Sequence, residues 1–190
     1  MKKCEHPVDK RKWYPSLIPG VVVLVSTCDS EGTPDITPKS WLQMASFEPL
    51  VLMFSGTKDN TTEKNIMENK CFCVNFLDPS NISKANRCIQ WHGAERIEKS
   101  GFNIVKSNRV NAPLVSDCRA HLECNLYDTK QIGSGFIVFG EIVAASVWDK
   151  VLTAEEKDRY SLLDLIVYLE EGVFSKTDNS IYCDNRRDLS

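Results

Sequence analysis

From Val21 to Val25 the chain is apolar and β-branched, and the turn signal Asp29-Ser30-Glu31-Gly32-Thr33-Pro34 follows shortly after Thr27. That pattern predicts a strand and a hairpin leading into a more polar strand over 35–46. Two further short strands are expected at 50–55 and 71–77, with a helix over 60–69 between them. Asn60 and Glu63 have the spacing of a capping box for that helix. Residues 79–91 read as a second, polar helix or helical loop, and 93–116 as an irregular excursion with one short helix. From 120 to 127 the pattern alternates. Ala120, Leu122, Cys124 and Leu126 share one face, and His121, Glu123, Asn125 and Tyr127 the other. This is the signature of a half-buried antiparallel strand. Gly133-Ser134-Gly135 then turns the chain into a long strand over 136–148. Thr153 and Glu156 make a second capping box, opening a C-terminal helix. Its apolar positions, Leu162, Leu163, Leu165, Ile166 and Leu169, exceed one narrow stripe, so it requires a partner surface such as another subunit.

Many short strands and few helices predict a mainly β protein with peripheral helices (α+β), an antiparallel barrel or sandwich. No Gly-x-Gly-x-x-Gly follows a strand, and neither a P-loop nor a Gly-x-Ser-x-Gly elbow is present. The 190 residues are read as one domain over 1–190, with a core of about 16–150 and a C-terminal helical extension over 151–190. A net charge of -3 gives no support for a nucleic-acid partner. The apolar run 21–25 is too short to cross a bilayer. The charged N-terminus (Lys2, Lys3, Glu5, Asp9, Lys10, Arg11, Lys12) lacks a signal-peptide core, so a cytoplasmic location is expected. There are eight cysteines but no Cys-x-x-Cys pair, which favours buried thiols over a metal site. Cys71 and Cys73 fall on one face of their strand.

The candidate chemistry lies between 35 and 75. A polar strand containing Ser40, Trp41, Leu42, Gln43, Ala45 and Ser46 precedes a helix start carrying Lys58, Thr61, Thr62 and Asn65. Free N–H groups and the positive dipole end of a helix suit a phosphate. Together these features point to a phosphorylated, planar cofactor lying across a sheet. By residue type alone Trp41 is equally a core aromatic, His121 is a solvated imidazole, and His92 is a loop histidine without a partner.

The order of several segments resembles the flavoredoxin branch of the flavin reductase-like proteins. These are Pro19-Gly20-Val21-Val22-Val23-Leu24-Val25-Ser26-Thr27, Gly32-Thr33-Pro34-Asp35-Ile36-Thr37-Pro38-Lys39-Ser40-Trp41 and Ser46-Phe47-Glu48-Pro49-Leu50. Lys58-Asp59-Asn60-Thr61-Thr62, Phe72-Cys73-Val74-Asn75, Asn111-Ala112-Pro113-Leu114, Ala120-His121-Leu122-Glu123-Cys124 and Phe139-Gly140-Glu141-Ile142-Val143 continue the series. The resemblance implies a Greek-key split β-barrel that binds FMN at the interface of a homodimer. It implies that Ser40, Trp41, Leu42 and Gln43 border the isoalloxazine and ribityl chain, with Ala45 and Ser46 in close contact. Lys58, Thr61, Thr62 and Asn65 would surround the phosphate, and Asn75 would hydrogen-bond near the site. The implied activity is NAD(P)H:flavin oxidoreduction, with no catalytic side chain and no metal. One departure stands out. Gly133-Ser134-Gly135 occupies the turn where many NADH-dependent members carry Gly-Asp-His. That favours a rival reading, a flavin-binding electron-transfer protein that takes electrons from a redox partner protein without turning over NAD(P)H.

Overall fold

The computed structural model describes residues 2–5, 17–170 and 172–177. The charged positions at 9–12 and the end of the expected C-terminal extension, 178–190, lie outside the described residues. In chain order the elements begin with β1 (Gly20–Val21), β2 (Val23–Cys28), β3 (Pro34–Lys39), β4 (Leu42–Phe47), β5 (Leu50–Gly56), α1 (Thr61–Asn69) and β6 (Cys71–Phe76). A helical excursion follows, with α2 (Ile82–Arg87) and α3 (Gly93–Ser100), then the short pair β7 (Ile104–Val105) and β8 (Leu114–Val115). The long hairpin is β9 (Ala120–Ile132) and β10 (Gly135–Val147). The chain continues through α4 (Asp149–Leu152), α5 (Glu156–Leu163), β11 (Ile166–Glu170) and β12 (Val173–Lys176).

Seven strands form one antiparallel row in the order β3-β2-β6-β9-β10-β5-β4. The expected single strand over 35–46 is therefore two. β3 and β4 are consecutive in sequence yet lie at opposite ends of the row, so the short link at Ser40 and Trp41 pulls those ends together. Ser55 N donates to Trp41 O at 3.2 Å, and the Lys39 ammonium sits 5.5 Å from the centre of the Phe54 ring. The row curls into a barrel as a result.

β2 explains why its stretch of sequence is apolar without a break, because it is buried on both sides. Val23 and Val25 enter the barrel interior with Leu52, Phe54, Phe72, Val74, Cys124 and Val138. Val22 and Leu24 face the other way, packing with Ile36, Leu77, Ala85, Phe102 and Val115 under the helical layer. Alternate side chains on a strand serve opposite faces.

The C-terminal segment corrects an expectation. The helix opened at Glu156 stops at Leu163, where Asp164 takes a left-handed φ of 48°. Ile166 to Glu170 is strand, paired with both β1 and β12. The apolar excess belonged to two elements, and β-branched and aromatic residues such as Ile166, Val167 and Tyr168 favour the strand. Ile166 is buried in the outer core, so β11 finds its cover within the chain. Both capping boxes also fail in detail. Asn60 holds the N-cap position of α1 but makes no side-chain capping bond. Thr153 ends α4, and Glu155 precedes α5. Among the described residues no helix is long and apolar enough to cross a membrane.

Candidate functional site

Where β3 passes the start of α1, the fold leaves a cleft of about 900 Å³. Its polar wall is built from Thr37, Lys39 and Ser40 on one side and Asn60, Thr61 and Thr62 on the other, with His92 and Arg96 behind. Two glycines permit the close approach. A Cβ on Gly20 would lie 1.7 Å from the Ser40 carbonyl oxygen, and one on Gly56 would lie 1.7 Å from Glu63 Oε1 and 2.8 Å from Lys39 Nζ.

The floor is a buried polar network centred on Asp35. Arg96 Nη1 donates to both carboxylate oxygens of Asp35, at 2.9 and 3.0 Å, to Ile36 O at 3.0 Å, and to the Thr37 hydroxyl. Its Nε donates to Trp91 O at 2.7 Å. Nη2 lies 3.1 Å from His92 Nδ1, and because arginine only donates, Nδ1 accepts and the ring proton is assigned to Nε2. Gly93 N donates to Asp35 Oδ1 at 3.0 Å, and Thr62 Oγ1 to Oδ2 at 3.2 Å. The Thr37 and Thr62 hydroxyls are 2.6 Å apart. A buried ion pair is tolerable only when its remaining hydrogen-bonding groups are also met, and here they are.

Lys39 is held differently. Its ammonium donates to Glu63 Oε1 at 2.5 Å, with the two side chains 8% and 0% exposed. Glu63 has turned beneath the helix to meet Lys39 in place of reaching back to cap Asn60, and its second oxygen, Oε2, has no hydrogen-bond partner among the described residues. The first-turn N–H groups of α1 have no intrahelical acceptor, and the Asn60 side chain supplies none. They add the positive end of the helix dipole to the Thr61 and Thr62 hydroxyls. Open amides, hydroxyls and an ammonium in a partly enclosed cleft form a receptor for a phosphate-sized anion.

The predicted residues fall into three groups. Ser40, Thr61 and Thr62 line the cleft. Trp41 stands in the link beside Ser40, and Leu42, Gln43, Ala45 and Ser46 follow it along β4, the free edge of the row. There Trp41 is 65% exposed, so it is not a core aromatic. Leu42 packs partly against the barrel core, and Ser46 Oγ accepts from Glu48 N at 3.2 Å. Lys58 is exposed in the turn before α1 and is not in the cleft wall. Asn65 points beneath α1, donating to Thr27 Oγ1 at 3.1 Å.

Asn75 does not line the cleft. It is fully buried, and its carboxamide donates to Leu24 O and Ser26 Oγ, both at 2.9 Å, while accepting from Val115 N at 2.8 Å. Those bonds tie β2, β6 and β8 together and present nothing to the cleft. Two histidines also have partners that residue type did not suggest. His92 meets Arg96, and His121 bridges Val115 O at 2.9 Å and Ser146 Oγ at 3.2 Å.

Asp35, Thr37, Lys39, His92 and Arg96 were missed. For the first three a signal existed, since residues two apart in Asp35-Ile36-Thr37-Pro38-Lys39 share one face of a strand. Arg96 arrives from α3 and His92 from the residue that precedes it, and no local pattern ties them to β3.

The family model described as flavin reductase like domain matches residues 16–170 of this chain. An uncharacterized protein from Aquifex aeolicus is 30% identical over 143 residues, which is 72% of this chain and 73% of that one. Nitrilotriacetate monooxygenase component B from Bacillus cereus superposes with a TM-score of 0.84 at 18% identity, over 96% of this chain and 99% of that one. Flavoredoxin from Methanosarcina acetivorans gives a TM-score of 0.80, also at 18% identity, over 100% and 98% of the two chains. At such identities the two structures speak for the split-barrel fold alone.

Proposed function

The chain belongs to the flavin reductase-like family, and from that premise we propose that it binds FMN and acts as an NAD(P)H:flavin oxidoreductase. The observation that carries the reading is the uncapped start of α1, facing Thr37, Lys39 and Ser40 across the cleft. In this reading the Thr61 and Thr62 hydroxyls, the first-turn amides and Lys39 hold the phosphate, with Lys58 at the rim. Asn65 acts by pinning α1 to β2. Ser40 marks where the ligand leaves the cleft for β4. Trp41, Leu42, Gln43, Ala45 and Ser46 border the ring system. Among the described residues β4 pairs only with β5, which leaves its outward N–H groups to donate to the electron-rich edge of the ring. When bound, the flavin supplies the two-electron chemistry.

Trp41, Met44, Phe47 and Leu50 are 65%, 42%, 82% and 41% exposed, an apolar strip along β4 and β5 that supports a homodimer covering the ring. The location proposed for the protein remains the cytoplasm.

Titration with FMN and riboflavin tests the phosphate site. Lys39→Met, combined with Glu63→Gln so that no unpaired carboxylate is left buried, is expected to weaken FMN binding about tenfold or more. Charge-assisted contacts contribute about 1.5–3 kcal/mol each. Riboflavin binding should be unaffected. Equal FMN affinity in variant and wild type would remove Lys39 from the site.

The second reading, an electron carrier supplied by a redox partner protein, is favoured by the turn Gly133-Ser134-Gly135, which offers no imidazole before β10. Adding NADH or NADPH anaerobically to the FMN-loaded protein separates the two. Bleaching of the flavin absorbance within seconds is the expected result, and a spectrum unchanged by either nucleotide would establish the carrier in its place.

A further inference from the structure

Two of the buried thiols meet across the barrel wall, at the far end of α1 from the cleft. β2 and β6 run antiparallel, with Val23 opposite Phe76, Leu24 opposite Asn75, Val25 opposite Val74 and Ser26 opposite Cys73. Carried on by two residues, that register sets Cys28, the last residue of β2, opposite Cys71, the first of β6. Alternation puts both side chains on the face shared by Ser26 and Cys73. One residue of the segment before β8 touches both sulfurs. Cys28 Sγ donates to Asn111 O at 2.6 Å, and the Asn111 N–H is hydrogen-bonded to the Cys71 thiol. Both cysteines are free. They are 5% and 6% exposed, whereas Cys73, Cys88, Cys118 and Cys124 are at most 1%, so a small solute reaches this pair first.

Residues directly opposite one another in an antiparallel pair have Cα atoms about 4.5–5.5 Å apart, inside the range of roughly 4.4–6.8 Å that a disulfide spans. Cys73 has no such partner, because its cross-strand neighbours are Ser26 and Glu123. We propose that Cys28 and Cys71 are an oxidative modification site, closing to a reversible disulfide with hydrogen peroxide as the oxidant, independently of the flavin reading. Cys71 is the attacking sulfur, because the Asn111 N–H stabilises its thiolate, whereas the Cys28 thiol directs its proton to Asn111 O. The Cys71 thiolate attacks one peroxide oxygen, the O–O bond breaks, and the departing hydroxide takes up a proton as water. The Cys28 sulfur then attacks the resulting sulfenic acid. The S–S bond forms, the S–O bond breaks, and the second oxygen leaves as water with the Cys28 proton. Two electrons pass from the two sulfurs to the peroxide. Burial raises both thiols above their ordinary value, so the reaction is slow at neutral pH and quickens as pH rises. The bond would close a loop over β3, β4, β5 and α1, the stretch that carries the start of α1 and the β3 wall of the cleft.

Peroxide treatment of the full chain, followed by alkylation in denaturant and non-reducing peptide mapping by mass spectrometry, tests the site. The expected product is a peptide pair linked through Cys28 and Cys71, separated by dithiothreitol and formed faster at pH 9 than at pH 7. The oxidised protein should melt about 5–10 °C higher than the reduced one, since a cross-link over so long a loop restricts the unfolded chain. In Cys28→Ser the sulfenic acid should persist at Cys71 and take a dimedone label, while Cys71→Ser should leave Cys28 unlabelled. Recovery of both cysteines fully alkylated after peroxide overturns the proposal. So does a map in which either is linked to a different cysteine or has passed to sulfinic acid without any Cys28–Cys71 link. A dimedone label on Cys28 in Cys71→Ser, with none on Cys71 in Cys28→Ser, overturns the assigned order of attack.

Discussion

Between pH 8 and pH 10 the folded state is expected to lose about 6 kcal/mol of stability, from three buried thiols alone. Cys73, Cys118 and Cys124 are no more than 1% exposed. Burial pushes all three thiols well above their ordinary value, reinforced by Glu123 beside Cys73 and Cys124 and by Asp117 and Asp78 beside Cys118. An unfolded thiol ionises near pH 8.5, whereas these stay protonated while the protein is folded. With the folded value raised, the stabilisation is complete below about pH 8.5 and is lost as pH climbs toward the folded value. Each thiol then costs about 1.4 kcal/mol per pH unit, or about 2 kcal/mol over the range. Three such losses approach the whole stability of a typical domain, about 5–15 kcal/mol. Cys28, Cys71 and Cys88 are raised by burial as well and act in the same direction. Urea unfolding at pH 8, 9 and 10 under reducing conditions measures the slope. Cys124→Ala should make it shallower by about 1.4 kcal/mol per pH unit, whatever it does to stability at pH 7. A slope identical in wild type and variant would mean that Cys124 ionises equally in both states.

Those thiols also show which parts of the fold a linear reading reaches. Cys124 was placed on the inward face of β9 by plain alternation, and it sits in the barrel core. Continuous apolar runs bounded by turn signals marked β2, β5 and β6 in the same direct way, because each registers its burial in its own side chains. The linear reading failed where one sequence run serves two places. Residues 35–46 read as a single strand because nothing at Ser40 or Trp41 signals a break, yet β3 and β4 part there to opposite ends of the row. Residues 153–170 read as one helix because helical and strand periodicities overlap in a short apolar run. For the cleft, Ser40, Thr61 and Thr62 were visible as hydroxyls flanking a helix start. Lys58 and Asn65 were equally visible, but the turn leaves Lys58 at the surface and helical periodicity carries Asn65 to the underside of α1. Asn75 spends its amide on three backbone or hydroxyl partners, and such an amide is indistinguishable by residue type from one that binds a ligand. Arg96 could not be found locally, since its partner Asp35 lies 61 residues away.

Arg96→Met is expected to destabilise the protein by about 3–5 kcal/mol, the usual consequence of leaving one partner of a buried pair uncompensated. The arginine side chain is 6% exposed and Asp35 only 1%, so water cannot replace the lost donors at Asp35. The damage should extend to the cleft. Thr37 and Thr62 are both tied to Asp35 Oδ2, at 3.3 and 3.2 Å, so their hydroxyls lose their orientation when the carboxylate relaxes. FMN affinity should therefore fall in the variant even though Arg96 already spends its donors inside the protein and is assigned no direct contact with ligand. Removing both charges separates the electrostatic cost from lost packing. Asp35→Asn with Arg96→Met should recover part of the loss, because a neutral amide is far less costly to bury unpaired than a carboxylate. A double-mutant cycle in urea, with FMN titrations on each folded variant, measures both effects. If Arg96→Met lowers stability by less than about 1 kcal/mol, the range of exposed ion pairs, the pair is solvated and the floor of the cleft is not the rigid network described. If it lowers stability as expected but leaves FMN binding intact, the Thr37 and Thr62 hydroxyls play no part in holding the phosphate.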